Sequence, residues 1–373
     1  MLEEGKISTR QFSFMLFCLL SSSFYYNMPQ IKIAHLKQDV WLIIPVSWAI
    51  DAGLAVVFYV LGQRYPNQTM VQYSETILGT WLGKLVGLSF ILFFALGTTL
   101  YLRDISYFLV TTLMPETPVI VFSVVILLVS AYAVNAGLEV IARLSEIIGP
   151  IMFVSLIVVF VLNLNQVELE KLLPLFQHSP IEVFKESLRV ISVFGICIVM
   201  GMFMAYHNNP KEALKAKLTA ITIASVLAIM MFLQLISVLG VNMSSLEIYP
   251  VFRLVKYIEA GDFFQRIEPL MVVFWIAGTF IAISILYYNS VLGLAQVLKL
   301  PKYQPLTPFI GGVILLTSVF GFQNVTELNL FYEEIFPYGA LFVENVLMLL
   351  LFAISYLRHG KRQKMLRKGR NDP

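Results

Sequence analysis

Ten stretches of this sequence are each about as long as a bilayer's hydrocarbon core is thick, and they carry almost no charge. Leu218–Val241 and Pro269–Leu298, for example, contain no Asp, Glu, Lys or Arg at all. A helix needs about 20 predominantly apolar residues to cross a bilayer, and every stretch is read on that basis. The candidate spans are Gln11–Ile33, Val40–Leu61, Leu85–Leu113, Pro118–Val134, Val140–Leu162, Ile181–Tyr206, Leu218–Val241, Pro269–Leu298, Leu306–Phe320 and Pro337–Leu357. Composition agrees: 58% of the 373 residues are hydrophobic and 13% charged, against roughly 45–50% and about 25% in a soluble domain. So little charge cannot coat a water-soluble surface of this size, which excludes soluble enzymes and nucleic-acid-binding proteins. The expectation is an all-α integral membrane protein of ten transmembrane helices. It forms one polytopic domain over residues 1–373, with no separate soluble domain.

Lys6, Arg10, Phe12–Leu20 and Ser21–Ser23 superficially resemble a signal peptide. Glu3 and Glu4 nearly neutralise the leading segment, however, and the apolar run resumes beyond the serines, so this region is read as the first span. Cations orient the chain. With the N-terminus inside, about two-thirds of the 26 Lys and Arg fall on the cytoplasmic side, including Lys211, Lys215, Lys217 and a basic tail over 358–373. Both termini are then cytoplasmic, and the tail is able to touch anionic membrane lipid. Two connections, 163–180 and 242–268, are longer than the rest. Within the second, Leu246–Tyr257 reads as a helix lying at the interface.

Two spans carry interruptions. Ser21, Ser22, Ser23 and Pro29 weaken span one, and Gly195 and Gly201 flank Ile196–Met200 in span six. Paired breaks at matching places in two five-helix halves point to an inverted-repeat transporter fold. Repeat one would cover about 8–163 and repeat two about 181–358. Unwound backbone in spans one and six would then offer N–H and C=O groups near the midplane, with half-helix N-termini favouring an anionic group. The plainer reading is that the glycines serve packing and the serines bond to their own preceding turn.

The order and spacing of several motifs then carry a resemblance over nearly the whole chain. They are Ile7-Ser8-Thr9-Arg10-Gln11, Gly137 through Glu146, Tyr249-Pro250 through Ile267-Glu268, Trp275 and Leu286-Tyr287-Tyr288. In these the chain resembles the B subunits of bacterial spore nutrient-germinant receptors (GerAB-type), within the amino acid–polyamine–organocation (APC) transporter superfamily. The resemblance implies the five-plus-five inverted repeat of the LeuT-like fold, with broken helices one and six. It also implies a small nutrient ligand, an amino acid above all, and partner A and C subunits in the spore inner membrane. Superfamily relatives usually carry an Ile-Gly-Thr-like break in helix one. Ser21–Ser23 stand there in this chain, so either serine hydroxyls substitute for bare backbone or the ligand differs, and the ligand is not inherited from the resemblance.

On this reading the candidate ligand-binding residues are Ser21, Ser22, Ser23 and Tyr25 in span one, and Gly195, Cys197, Ile198 and Gly201 in span six. Thr98 and Tyr101, three apart on one face of span three, join them, and the resemblance places a span-three tyrosine in the pocket. Tyr287 and Tyr288 play the analogous part in span eight. For each tyrosine, aromatic packing is the alternative.

Charges inside spans are costly and face protein or a water-filled cavity. Asp51 reads as a proton or cation site, or as a hydrogen-bonded acid at a helix contact, and Glu344 is a weaker version of the same case. Arg103 and Asp104 read as ligand or gate contacts, or as ion pairs to a neighbouring helix. Glu139, Arg143 and Glu146 share a helical face, as a cytoplasmic gate network or a surface ion pair. The two Cys and four His form no metal knuckle or His-x-x-x-His pair, and no Gly-Lys-Ser/Thr loop is present. No metal, cofactor, nucleic-acid partner or enzymatic activity is expected. The leading reading is a nutrient-sensing receptor subunit that retains a transporter fold. A proton- or cation-coupled amino-acid transporter and a purely assembling membrane subunit are the alternatives.

Overall fold

The computed structural model describes residues 3–24, 26, 28–258 and 268–368, with side chains described up to 358. Tyr25 and the end of the basic tail, 369–373, lie outside the described residues. The first span divides as the serines and proline suggest. Helix α1, Thr9–Ser22, starts at a reciprocal cap in which the Ser8 hydroxyl accepts from Gln11 N and the Gln11 amide oxygen accepts from Ser8 N. It stops at Ser22, and α2 resumes at Met28–Leu36 with Pro29 in its first turn, where a missing N–H costs nothing. After a short 3-10 turn, Lys37–Leu42, the chain crosses back as α3, Ile43–Arg64.

The next elements join with almost no loop. Helix α4, Met70–Leu78, turns directly into α5, Thr80–Thr112, through Gly79 at φ 88°. In the same way α6, Val119–Ala136, turns into α7, Leu138–Leu162, through Gly137 at φ 99°. Positive φ is open to glycine without the Cβ penalty, which lets two helices meet at one residue. The longer connection after α7 is tied down by Asp39, whose carboxylate accepts from the backbone N–H groups of Phe176 (2.6 Å), Gln177 (2.7 Å) and His178 (3.0 Å).

Span six breaks its α-helix at Gly195, where a break is expected, but through a 3-10 segment and not by unwinding. Helix α8, Pro180–Phe194, tightens into a 3-10 segment, Gly195–Val199, and continues through α9, Met200–Phe203, and a last 3-10 turn to Tyr206. The backbone stays helical because every residue from Phe194 to Val199 is buried, where an unpaired amide is too costly to leave.

Beyond it α10, Ala213–Gln234, passes through a π turn, Leu235–Leu239, into α11, Gly240–Leu246. Helix α12, Pro250–Lys256, forms within the stretch read as an interfacial helix. It buries its apolar residues against the bundle, with Phe252 edge-on to Phe108 of α5 at 5.4 Å between ring centres, and leaves Lys256 exposed.

Helix α13, Glu268–Val297, is the axis of the bundle and packs along α5, α1, α7 and α6. Helices α14, Thr307–Phe320, and α15, Val325–Glu334, meet at 107°. A short α16, Phe336–Ala340, then enters a π turn, Leu341–Val346, and α17, Leu347–Lys368, which carries helix well into the basic tail. Among the described residues eight helices are long and apolar enough to cross a membrane, nine with the bent α14–α15 pair. Ten crossings are reached when α1 and α2 are counted as the two halves of the first.

At the N-terminal end, residues 3–8 pack onto the helix ends. Ile7 is fully buried, its N–H donates to Tyr206 O at 3.0 Å, and its carbonyl accepts from Asn208 N at 2.9 Å.

The α4–α5 corner brings two backbones into direct apposition. A Cβ at Gly83 would lie 2.6 Å from both Glu75 N and Ser74 O, and backbone cannot swing aside as a side-chain tip can. Gly83→Val should therefore lower stability by about 1–3 kcal/mol, the usual range for overpacking, read as a reduced Tm in detergent. An unchanged Tm would show that α4 is not seated on α5.

Candidate functional site

The long face of α5 decides where a ligand can sit. Gly97, Leu100, Tyr101 and Asp104 are spaced i, i+3, i+4 and i+7, so they form one stripe, and this stripe forms one wall of a cavity of about 70 Å3. That is several times the room one water needs. The opposite wall comes from α8 and the following 3-10 segment, with Arg189, Val190, Val193 and Ile196. The break after α1 supplies Ser23, α2 supplies Met28, Ile31 and Lys32, and the α15–α16 corner closes the rim with Tyr332, Glu333 and Phe336.

Tyr101 holds the broken helix in place. Its hydroxyl donates to the Leu19 carbonyl at 2.8 Å, one of the acceptors freed where α1 ends, and pairs closely with Ser23 Oγ. Asp104, one turn on, is 8% exposed, and its Oδ2 accepts the Tyr332 hydroxyl at 2.7 Å. Among the described residues no Lys or Arg pairs with it. Arg103, adjacent in sequence, points elsewhere on the helix: its guanidinium donates to the Tyr107 hydroxyl and the Phe322 carbonyl and lies 4.0 Å over the Tyr107 ring.

At the rim the charges are mutually balanced. The Glu186 carboxylate takes Lys32 at 3.0 Å, Arg189 at 2.8 Å and His35 at 3.4 Å, and His35 also reaches Glu333 at 3.4 Å. The cavity thus has apolar walls, a carboxylate with no Lys or Arg partner among the described residues on one side, and on the other two cations, Lys32 and Arg189, set among the Glu186 and Glu333 carboxylates. Such an arrangement suits a small molecule that carries both an ammonium and a carboxylate.

The other sequence candidates fall elsewhere. Ser22 bonds back to the Cys18 carbonyl at 2.7 Å, and Thr98 to the Phe94 carbonyl at 2.8 Å, the local satisfaction usual for hydroxyls inside helices. Ser21 is buried beside Phe24, away from this cavity. In the 3-10 segment Ile196 lines the cavity, whereas Gly195, Cys197 and Ile198 do not. Gly201 packs under Met70 and Tyr73.

Tyr287 and Tyr288 lie too far along α13 to reach the cavity. Tyr287 donates to the Thr307 carbonyl, and Tyr288 donates to Glu3 Oε2 at 2.9 Å. The same Glu3 oxygen accepts from Tyr303 at 3.2 Å and Leu138 N at 3.2 Å. Burial, and then the neighbouring Glu3 carboxylate, push the Tyr303 hydroxyl above the usual tyrosine range, so it remains a donor. Burial pushes His207 down, which suits a neutral ring whose Nδ1 accepts from Asn209 N at 2.9 Å.

Glu139 and Arg143 form an exposed pair at 2.5 Å, while Glu146 turns away from them to Arg10 at 3.1 Å. Asp51 is bound by Lys217 at 2.9 Å, with both side chains buried. Lys217 therefore lies inside the bundle and not among the cytoplasmic cations. Glu344 is buried against Gly195. The residues that sequence reasoning missed at the cavity, Lys32, Arg189 and Tyr332, sit near span ends. There the only signal is a cation or tyrosine at helical spacing among apolar residues.

A family model described as spore germination protein matches residues 6–326. The chain is 26% identical over 370 residues to Spore germination protein KB of Bacillus subtilis (strain 168), covering 97% of this chain and 98% of that one. To Spore germination protein YndE of the same organism it is 25% identical over 358 residues, covering 95% and 97%. Among solved structures, MhsT in complex with L-phenylalanine superposes with a TM-score of 0.65 at 15% identity, over 92% of this chain and 87% of that one. Mhp1, a nucleobase-cation-symport-1 family transporter, gives 0.66 at 14% identity, over 94% and 78%. The architecture is thus the LeuT-like transporter fold, and the chain belongs to the spore germination protein family as an integral membrane protein.

Proposed function

We propose that this protein is the nutrient-binding B-type subunit of a germinant receptor. It lies in the spore inner membrane with both termini cytoplasmic, and it signals with A and C subunits. Its single domain consists of the repeats at about 8–163 and 181–358. The ligand is a small amino acid bound as a zwitterion. Asp104 takes the ammonium, Lys32 and Arg189 draw the carboxylate, and the side chain rests against Leu100, Val193, Ile196 and Phe336. The observation that carries this reading is Asp104, a carboxylate that lines a cavity inside the bundle and pairs with no Lys or Arg among the described residues. A charge at that depth has to be answered by a partner, and an ammonium supplies both charge and donors. MhsT, which shares the fold, is described in complex with an amino acid. Binding would shift the protein between two conformations by its differential affinity for them, and the partner subunits would read the difference. A coupled amino-acid transporter is the second reading, favoured by the buried Asp51–Lys217 pair.

Calorimetric titration of the purified protein with a panel of free amino acids should find at least one binder. The corresponding N-acetylated acid and decarboxylated amine should each bind far more weakly. Asp104→Asn should weaken the amino acid by about ten- to a hundredfold, the worth of one charge-assisted hydrogen bond at roughly 1.5–3 kcal/mol. Equal binding of the N-acetylated acid would sink the assignment. Accumulation of a labelled amino acid against its gradient in proteoliposomes, without partner subunits, would instead establish the transporter.

Tyr101→Phe should lower stability by about 1–3 kcal/mol, because it leaves the Leu19 carbonyl buried without a donor. Thermal unfolding in detergent measures this, and an unchanged Tm would mean that the break is not held by that hydroxyl.

A further inference from the structure

The fold buries one acid that neither the cavity nor the Asp51–Lys217 pair accounts for. Glu344 lies in the π turn Leu341–Val346, is 1% exposed, and has no hydrogen-bond partner for either carboxylate oxygen. A π turn rotates the side chains that follow it relative to an α-helix. Here it directs this carboxylate against the 3-10 segment Gly195–Val199. The approach is so close that a Cβ on Gly195 would collide with both carboxylate oxygens. The absence of a side chain at Gly195 is thereby explained: the position makes room for Glu344.

The charged groups nearest to Glu344 are Asp51 from α3 and Lys217 from α10. Cys197, on the 3-10 segment itself, is buried within electrostatic reach of all three. Of the other elements packed against the π turn, α16 carries only the exposed Tyr338, and the described titratable groups of α17, Tyr356 and Arg358, are exposed as well. Arg189 and Glu186 of α8 are committed to each other and to the cavity rim, and Arg103 of α5 is committed to Tyr107 and Phe322. Asp104 of α5 is held by Tyr332. The group therefore comprises two carboxylates and one ammonium. Lys217 donates to Asp51 Oδ1 at 2.9 Å, and Asp51 Oδ2 is left without a partner. One lysine neutralises one carboxylate, and an ionised second carboxylate with no hydrogen bond is costly in a dry interior. A metal cation would need about six oxygen ligands around it, and no group of three or more acidic, His or Cys side chains suited to a metal occurs among the described residues. A proton needs only one oxygen.

We propose that Glu344 is a proton-binding site, and that its protonation controls the packing of the 3-10 segment Gly195–Val199. With the proton bound, the acid lies neutral against the Gly195 backbone. Loss of the proton sets a second negative charge beside Asp51 and draws Lys217 towards it, which pulls on the segment between them. That segment presents Cys197 to the charge group and Ile196 to the cavity, so one short element feels both. Proton and ligand are then linked, and each alters the affinity for the other by the same factor. This last step alone rests on the ligand reading given above; the proton site does not.

Infrared difference spectroscopy of the purified protein in vesicles tests the site without any ligand. At neutral pH the wild type should show a protonated carboxylic-acid band that shifts in D2O. The band should vanish in Glu344→Gln and persist in Asp51→Asn. Glu344→Gln mimics the protonated form in size and charge, so it should fold with a Tm at neutral pH no lower than that of the wild type. Raising the pH should then lower the Tm of the wild type and not that of Glu344→Gln, because the proton held in the fold is lost only from the wild type. A band unchanged in Glu344→Gln, parallel pH profiles, or a Tm that depends on Na+ or K+ in place of choline would each overturn the proposal. If the amino-acid reading fails while the Glu344 band behaves as expected, the proton site stands and only its link to the cavity falls.

Discussion

Inside a bilayer there is no water to take up a broken backbone hydrogen bond, and the interruption between Ser22 and Met28 is where that constraint shapes this molecule most. Helix α1 ends deep in the bundle, where Ser23 N and Phe24 N cover the Leu20 and Ser21 carbonyls and the Leu19 carbonyl is answered from α5. The Tyr101 hydroxyl reaches Leu19 O and Ser23 together. Because Tyr101 belongs to the Gly97–Asp104 stripe, the side chain that secures the break also forms a wall of the cavity. The broken helix, the long α5 and the cavity are consequences of one requirement. Span six meets the same requirement differently. It tightens into a 3-10 turn and keeps its own hydrogen bonds, so the cavity faces side chains there and not exposed amides.

The second organising cost is charge. Intramembrane ions are expensive unless paired, and the bundle sorts them into three groups with separate partners. The rim group around Glu186 is nearly self-compensating. Asp104 faces the cavity with no Lys or Arg partner among the described residues. Asp51, Lys217 and Glu344 lie on the other side of the 3-10 segment and hold one acid more than their base can balance. Only one or two residues of span six separate the latter two groups, with Ile196 turned one way and Cys197 the other. A rigid α-helix at that point would transmit little. A short 3-10 turn that begins at Gly195 has weaker hydrogen-bond geometry and is easier to repack.

Much of this was legible in the sequence, because the signals were local. Uninterrupted apolar length placed the crossings, Ser21–Ser23 with Pro29 marked the break after α1, and Gly195 marked the change of helix type in span six. Tyr101 and Asp104 lie three apart and share a face wherever α5 packs, so their place on one wall needed only the helical period. Tyr287 and Tyr288 show the limit of that reasoning. Their aromatic character is visible, but their height in the bundle depends on how α13 is set against α5, and they end beside Glu3. Lys217 shows it again: a lysine near a span end looks like a surface cation until the packing of α3 on α10 buries it against Asp51.

The sequence by itself determined that this chain is a bundle of membrane-crossing helices, where its first helix breaks, and which few charges lie within the spans. Those properties follow from the transfer cost of each residue and the period of a helix, which act over a few neighbours. The tertiary structure decided which charges are paired and which are left over. Asp51 and Lys217 are 166 residues apart, and Glu344 meets Gly195 through a π turn that no local pattern announces. Pair energies at those separations depend on distances of a few ångströms between helices, and only the packed bundle sets those distances.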